Sequence, residues 1–127
     1  MTSLATYGVI ALGGAIGACL RFFISEMTLH WLGKGFPFGT LLVNLVGSFL
    51  LGVLYATIEQ GVLDVSPWKT ILGVGLLGAF TTFSTFSVDS VLLLQSGMYW
   101  KGILNIFMNV ACCLLMAWLG MQLIKGN

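Results

Sequence analysis

A single all-α membrane domain of four transmembrane helices is the fold this sequence predicts, and three observations predict it. Hydrophobic residues make up 58% of the 127-residue chain and its mean hydropathy is +1.04. Charged residues make up only 7%, against roughly 25% in an average soluble domain. Four apolar stretches are each long enough to cross a hydrocarbon core, which takes about 20 helical residues. A soluble globule of 13.6 kDa needs far more polar surface than nine charged residues supply. The same numbers exclude a disordered chain, and a net charge of +1 without a basic patch excludes a nucleic-acid partner. Lipid is the surrounding medium that remains.

The predicted helices run over about 4–24, 40–58, 68–94 and 102–124, leaving short connections and no room for a second domain. The first has Arg21 as its only charge; without a basic leader and longer than a usual signal core, it reads as mature structure. The second is uncharged, the third has Lys69 at its start and Asp89 near its end, and the fourth is uncharged. The stretch 26–39 reads as an interfacial loop carrying Glu26, His30, Trp31, Lys34 and Pro37. Residues 59–67 carry Glu59, Asp64 and Pro67, and Tyr99, Trp100 and Lys101 precede the last span. Aromatic rings and prolines at helix ends suit a membrane interface. Cys19, Cys112 and Cys113 lie inside spans without metal-ligand spacing, and read as small reduced core residues.

Four spans put both termini on the side of the middle connection. That side carries Lys69 and Lys125, and the other carries Arg21, Lys34 and Lys101. Lys/Arg bias orients membrane proteins, and two against three is almost none. The chain is therefore expected to insert in both orientations and to pair as an antiparallel dimer with a twofold axis in the membrane plane. A single marginal charge, or the lipids, fixing one orientation is the plainer alternative.

Polar residues inside a span are costly unless they face a partner or a cavity. Thr40, Asn44, Ser48, Gly52 and Ala56 recur every four residues along one face of the second helix. Ser48, Gly52 and Ala56 read as helix-packing residues, as does the Gly13/Gly17 pair in the first helix. Asn105, Asn109 and Cys113 draw a matching face on the fourth, where two amides one turn apart offer more N–H donors than packing usually demands. As one helix the third span would be roughly 40 Å long. Its glycines Gly73, Gly75 and Gly78 precede Thr81-Thr82-Phe83-Ser84-Thr85-Phe86-Ser87, a weak sequence for continuous helix. Local unwinding over 78–83 is expected; broken helices are tolerated at membrane depth where they line a site. Loosened carbonyls meeting twofold mates would suit a cation, while hydroxyls and amides would suit an anion. Phe83 and Phe86 share a face, which is ordinary packing or, through their positive ring edges, an anion contact.

Three segments together resemble a known family. Gly14-Ala15-Ile16-Gly17-Ala18-Cys19-Leu20-Arg21-Phe22 looks like its GxxxR-type first-helix signature. Phe38-Gly39-Thr40-Leu41-Leu42-Val43-Asn44-Leu45-Val46-Gly47-Ser48-Phe49 resembles its GTLxVNxxGSF segment. Gly78-Ala79-Phe80-Thr81-Thr82-Phe83-Ser84-Thr85-Phe86-Ser87 resembles its GGxTTFSTFS segment. The chain is similar throughout to the Fluc (CrcB) fluoride-channel family. The resemblance implies a multi-pass plasma (inner) membrane protein that is no enzyme. It implies a dual-topology homodimer exporting fluoride passively through two antiparallel pores. Phe83 and Phe86 would be pore phenylalanines, Asn44 the pore asparagine, and Thr40 a vestibule residue. Ser84 and Thr85 would add hydroxyl donors to the pore. Asn105, Asn109 and Cys113 would form the fourth-helix polar track, and Arg21 would sit near the pore mouth. The carbonyls of Gly78 and Thr81 would hold a structural Na+ at the dimer interface.

The chain departs from the family pattern at Ala79, where a second glycine is usual, and at Asp89, where glutamate is commoner. Asn105 and Cys113 stand where some relatives carry an aromatic hydroxyl and a serine. Two other readings compete with the channel. A small proton-coupled multidrug transporter has the same length and helix count, but needs a mid-membrane carboxylate, and Asp89 is close to a helix end. A purely structural subunit would make every polar stripe packing.

Overall fold

The computed structural model describes residues 3–126. Four helices long and apolar enough to cross a membrane make up almost all of it: Leu4–Leu32, Phe38–Glu59, Val65–Gln95 and Tyr99–Lys125. Each extends past the bounds expected from hydropathy, because charge ends the fit to hydrocarbon before it ends the helix. The difference is largest in the first. Ser25 to Leu32 continue the helix, so Glu26, His30 and Trp31 lie on its last turns and not in a loop. Ser3 starts this helix by accepting a hydrogen bond from the Thr6 N–H. Gly33 ends it with φ +81°, a left-handed value that a side chain would strain, and its N–H returns to the Leu29 carbonyl at 2.9 Å.

The third and fourth helices are irregular. In the third, wide π-helical turns run over Lys69–Leu77, a short α-turn follows over Gly78–Phe80, and Phe83–Gln95 forms the second half. Between the halves Thr81 and Thr82 are both extended. The fourth carries a similar wide turn at Met108–Cys112, which the sequence pattern does not betray. Turns of this kind add a residue per turn locally and re-aim the side chains they carry.

Small residues set the helix contacts. The first helix lies against the third span through Gly13 and Gly17: a Cβ on Gly17 would strike the Leu76 carbonyl oxygen. The second helix packs on the fourth, Gly52 against the Ala117 backbone and Gly120 against Phe49. Such close approach is how helices gain dispersion contact where lipid offers no hydrophobic contrast. The second half of the third span rests on the start of the fourth, with Leu94 over Gly102. Lys101 Nζ donates to the Gly35 carbonyl at 2.9 Å, tying the first connection to the fourth helix. Lys125 and Glu59 pair at 2.8 Å at the opposite end. Val43, Leu54, Leu77, Phe80 and Phe86 are buried, whereas Phe22, Trp31, Phe83, Trp100 and Trp118 are exposed, as a chain surrounded by lipid or by a partner requires.

The packing at Gly17 yields a direct test. Gly17→Val should destabilise the detergent-solubilised protein by roughly 1–3 kcal/mol through overpacking against Leu76. Gly8→Ala, whose Cβ would meet nothing within 4 Å, should not lower the melting temperature and should raise it slightly through helix propensity. Equal melting temperatures for both variants would contradict the described contact.

Candidate functional site

The site is organised around the two extended residues of the third span. Helical bonding stops there because side chains supply competing partners. Thr82 caps the second half, its Oγ1 accepting from the Thr85 N–H at 3.2 Å. Thr81 turns its hydroxyl back to the Leu77 carbonyl at 3.1 Å. The second helix then holds the opened backbone. Asn44 Nδ2 donates to the Thr82 carbonyl at 3.0 Å, and the Thr82 N–H donates to Asn44 Oδ1 at 2.8 Å. One side-chain amide thus matches both backbone groups of one residue, as a neighbouring strand would. Gly47, nearly one turn on, leaves room for the Thr81 methyl, which any Cβ there would strike.

The carbonyls at the end of the first half follow from this. In continuous helix the Thr82 N–H would bond the Gly78 carbonyl, and the Thr85 N–H would bond that of Thr81. Both donors are engaged by side chains instead, by Asn44 and by Thr82, so both carbonyls lose their helical partners. The Ala79 carbonyl accepts from Arg21 Nε at 3.1 Å. Arg21 therefore reaches the break itself.

A groove of about 260 Å³ opens beside the break, lined by Asn44, Ser48, Phe83, Phe86, Asn109 and Cys113 together with Gly78, Thr81 and Thr82. The Phe83 and Phe86 rings meet edge to face, with centroids 5.4 Å apart and planes at 64°. Phe86 is buried within the chain, and Phe83 is 77% exposed beside it. Ser48, read from its spacing as packing, borders this groove together with Cys113. A larger pocket of about 420 Å³ lies toward the first connection, bordered by Glu26, Lys34, Thr40, Thr85 and Asp89. Within it Thr40 Oγ1 donates to Asp89 Oδ2 at 3.0 Å.

Of the residues singled out in the sequence, the structure thus brings Asn44, Phe83, Phe86, Asn109, Cys113, Gly78 and Thr81 to one groove, and Thr40 and Thr85 to the pocket beside it. Ser84 is exposed and borders neither cavity. Asn105 is wholly enclosed by its own chain, so it does not line the groove. The amide donors counted from the sequence are also largely engaged. Asn44 Nδ2 donates to Asn109 Oδ1 at 2.9 Å, and Asn109 Nδ2 donates to Asn105 Oδ1 at 3.0 Å. Asn105 Nδ2 donates to Ser90 Oγ at 2.9 Å. Ser90 escaped the sequence reading, although its position four residues after Phe86 was a usable signal. Among the described residues no three His, Cys, Asp or Glu side chains converge as metal ligands, so a cation here would depend on backbone oxygens.

Residues 8–121 match the family model described as CrcB-like protein, Camphor Resistance (CrcB). Among similar proteins is the fluoride-specific ion channel FluC of Pseudoalteromonas translucida (strain TAC 125), 61% identical over 116 residues, 91% of this chain and 97% of that protein. The protein of the same description from Alteromonas mediterranea is 54% identical over 123 residues, 97% of each chain. That from Vibrio vulnificus (strain YJ016) is 53% identical over 126 residues, 99% of this chain and all of that one.

The bracket on Thr82 predicts the effect of Asn44→Ala. Removing the side chain leaves the part-buried Thr82 N–H and C=O without their partners, at up to about 1–3 kcal/mol each. Amide hydrogen exchange at Thr82 should accelerate by about 10- to 100-fold, with residues of the first helix unaffected. Unchanged exchange at Thr82 would mean that the bracket does not hold the break.

Proposed function

The chain belongs to the CrcB-like family, and on that premise we propose that it is a fluoride-selective ion channel of the plasma membrane, passive in its transport. It is a multi-pass channel protein and not an enzyme. The observation that carries the reading is the groove at the break. Two phenylalanine rings, hydroxyls, a thiol and amides line it, and no Lys or Arg does. Fluoride is small, hard and strongly hydrated, so a path must replace its water with donors while holding it weakly enough to release. A Lys or Arg would trap it. Ring edges carry partial positive charge and approach an anion in the ring plane. The Asn44 and Asn109 amides are already hydrogen-bonded within the chain, so they offer an anion polar surroundings without a free cationic donor that would trap it. The names of the relatives support this reading and not the multidrug-transporter alternative.

In the proposed assembly two copies pair antiparallel. Phe83 stands exposed beside the groove, and with Arg21 held at the break the remaining basic residues split evenly, Lys69 and Lys125 on one face and Lys34 and Lys101 on the other, which permits both orientations. Two pores per dimer follow, each taking fluoride from the pocket at Thr40 and Thr85 past Phe83 and Phe86 toward Asn109 and Cys113. The extended pair Thr81–Thr82 is then a mid-membrane break. The Gly78 and Thr81 carbonyls fit a structural Na+, because both have lost their helical donors and both are hard neutral oxygens. Two oxygens from one chain are too few for such an ion, and twofold mates would double them. When bound, the ion would neutralise the carbonyl ends of the opposed half-helices. Arg21, bonded at the Ala79 carbonyl, contributes by holding the end of the first half-helix beside the pore.

Proteoliposomes containing only this protein should release fluoride and retain chloride. Phe86→Ile and Phe83→Ile should each lower fluoride efflux by at least about tenfold, a barrier change of about 1.4 kcal/mol, with the dimer intact. Equal fluoride and chloride efflux, or none, refutes the channel. Separately, a C-terminal reporter readable on each side of the membrane should give signal on both; signal on one side alone sinks the antiparallel arrangement.

A further inference from the structure

The hydrogen bonds that run from the groove wall into the interior and back form one directed chain. The Thr82 N–H donates to Asn44 Oδ1 at 2.8 Å, Asn44 Nδ2 to Asn109 Oδ1 at 2.9 Å, and Asn109 Nδ2 to Asn105 Oδ1 at 3.0 Å. Asn105 Nδ2 then donates to Ser90 Oγ at 2.9 Å, and the Ser90 hydroxyl donates to the Phe86 carbonyl at 2.9 Å. Every amide accepts at its oxygen and donates from its nitrogen in the same sense. The chain leaves the third span at Thr82, crosses the second and fourth helices, and returns to the third span at Phe86. Its two ends therefore bracket the single turn that carries both phenylalanines.

Asn105 is the hidden centre of this loop. It is 0% exposed, Ser90 4% and Asn109 8%. A second copy of the chain could only bury Asn105 further, so no permeating ion meets it. A buried amide without partners would be costly, but here it accepts from Asn109 and donates to Ser90. Asn109 is anchored a second time, its Nδ2 donating to the Asn105 backbone carbonyl at 2.9 Å. Hydrogen bonds in series polarise one another, so loss of one link loosens the rest.

We propose that Asn105 is a positioning residue of the conduction pathway: through Ser90 on one side and Asn109 and Asn44 on the other, it fixes the 82–86 turn and so the placement of the Phe83 and Phe86 rings. The proposal rests on the fluoride-channel reading for its effect on flux, and on the structure alone for its effect on the rings. It separates this residue from Asn109 and Cys113, which border the groove, because Asn105 acts only through others.

Two measurements test it. The first is fluoride efflux per folded dimer for wild type, Asn105→Leu, Ser90→Ala and the double variant. Asn105→Leu should reduce efflux by about tenfold and Ser90→Ala by less, with the double variant no worse than Asn105→Leu, because either change cuts the same chain. The second is 19F NMR of protein carrying 4-fluorophenylalanine at position 86 or, as a control, at 38. The signal from 86 should shift or broaden in both variants, and the signal from 38 should not. Lower yield or melting temperature with unchanged efflux per folded dimer and an unmoved signal from 86 would overturn the proposal. Effects that multiply in the double variant would overturn it too. If Asn105→Leu fails to fold, Ser90→Ala, which removes one oxygen, must by itself lower efflux and move the signal from 86. If wild type conducts no fluoride the channel reading falls, and the spectra alone decide the positioning role.

Discussion

The paired hydrogen bonds between the Asn44 side chain and the Thr82 backbone are the contact on which the rest depends. A helix that stops inside an apolar environment must find partners for the N–H and C=O groups it releases, since lipid offers none. Asn44 supplies two at once, the Thr82 and Arg21 side chains supply others, and the extended pair survives in a chain otherwise almost wholly helical. The remaining features follow from that break. The groove exists because the two half-helices do not stack, Phe83 projects while Phe86 turns inward because the turn after Thr82 starts afresh, and two carbonyls are left to other partners. The second helix must then lie close enough to reach the break, and Gly47, under the Thr81 methyl, permits it.

Much of this was legible in the sequence, and the reasons are physical. Hydrocarbon burial is a composition-level property, so four apolar runs gave four helices. Glycine spacing is nearly as direct: Gly13 and Gly17 meet the third span as their GxxxG pattern suggests. The stretch 78–83 reads as weak helix, and the extended residues in the structure are Thr81 and Thr82. Helix ends were less legible, because hydropathy reports where lipid ends and not where a backbone stops. Glu26, His30 and Trp31 look like loop residues for that reason, yet no breaker occurs before Gly33.

What the sequence could not give was the direction of side chains around irregular turns. A four-residue period places Asn105, Asn109 and Cys113 on one stripe only if the helix is regular, and the wide turn at Met108–Cys112 spoils that assumption. Asn109 and Cys113 reach the groove while Asn105 stays behind it. The donor count fails for a related reason. Unpaired amides cannot be told from paired ones in a list of letters, and Ser90 acquires its role only from Asn105 on another helix and Phe86 on an earlier turn.

The use of neutral amides in the groove wall and behind it resolves a conflict between two demands on such a site. Rings that must sit at a fixed edge-on angle need a rigid support, and the strongest supports in a protein interior are charged ones. A charge close to the path of a small anion would either bind it or repel it, and in both cases slow its passage. A relay of three asparagines and one serine is rigid because every buried member is satisfied, yet it carries no net charge. Arg21, which reaches the break, is engaged at the Ala79 carbonyl and does not line the groove. The nine charged residues that place the chain in a membrane thus have a counterpart within it, where the fixing of the phenylalanine turn is left to dipoles.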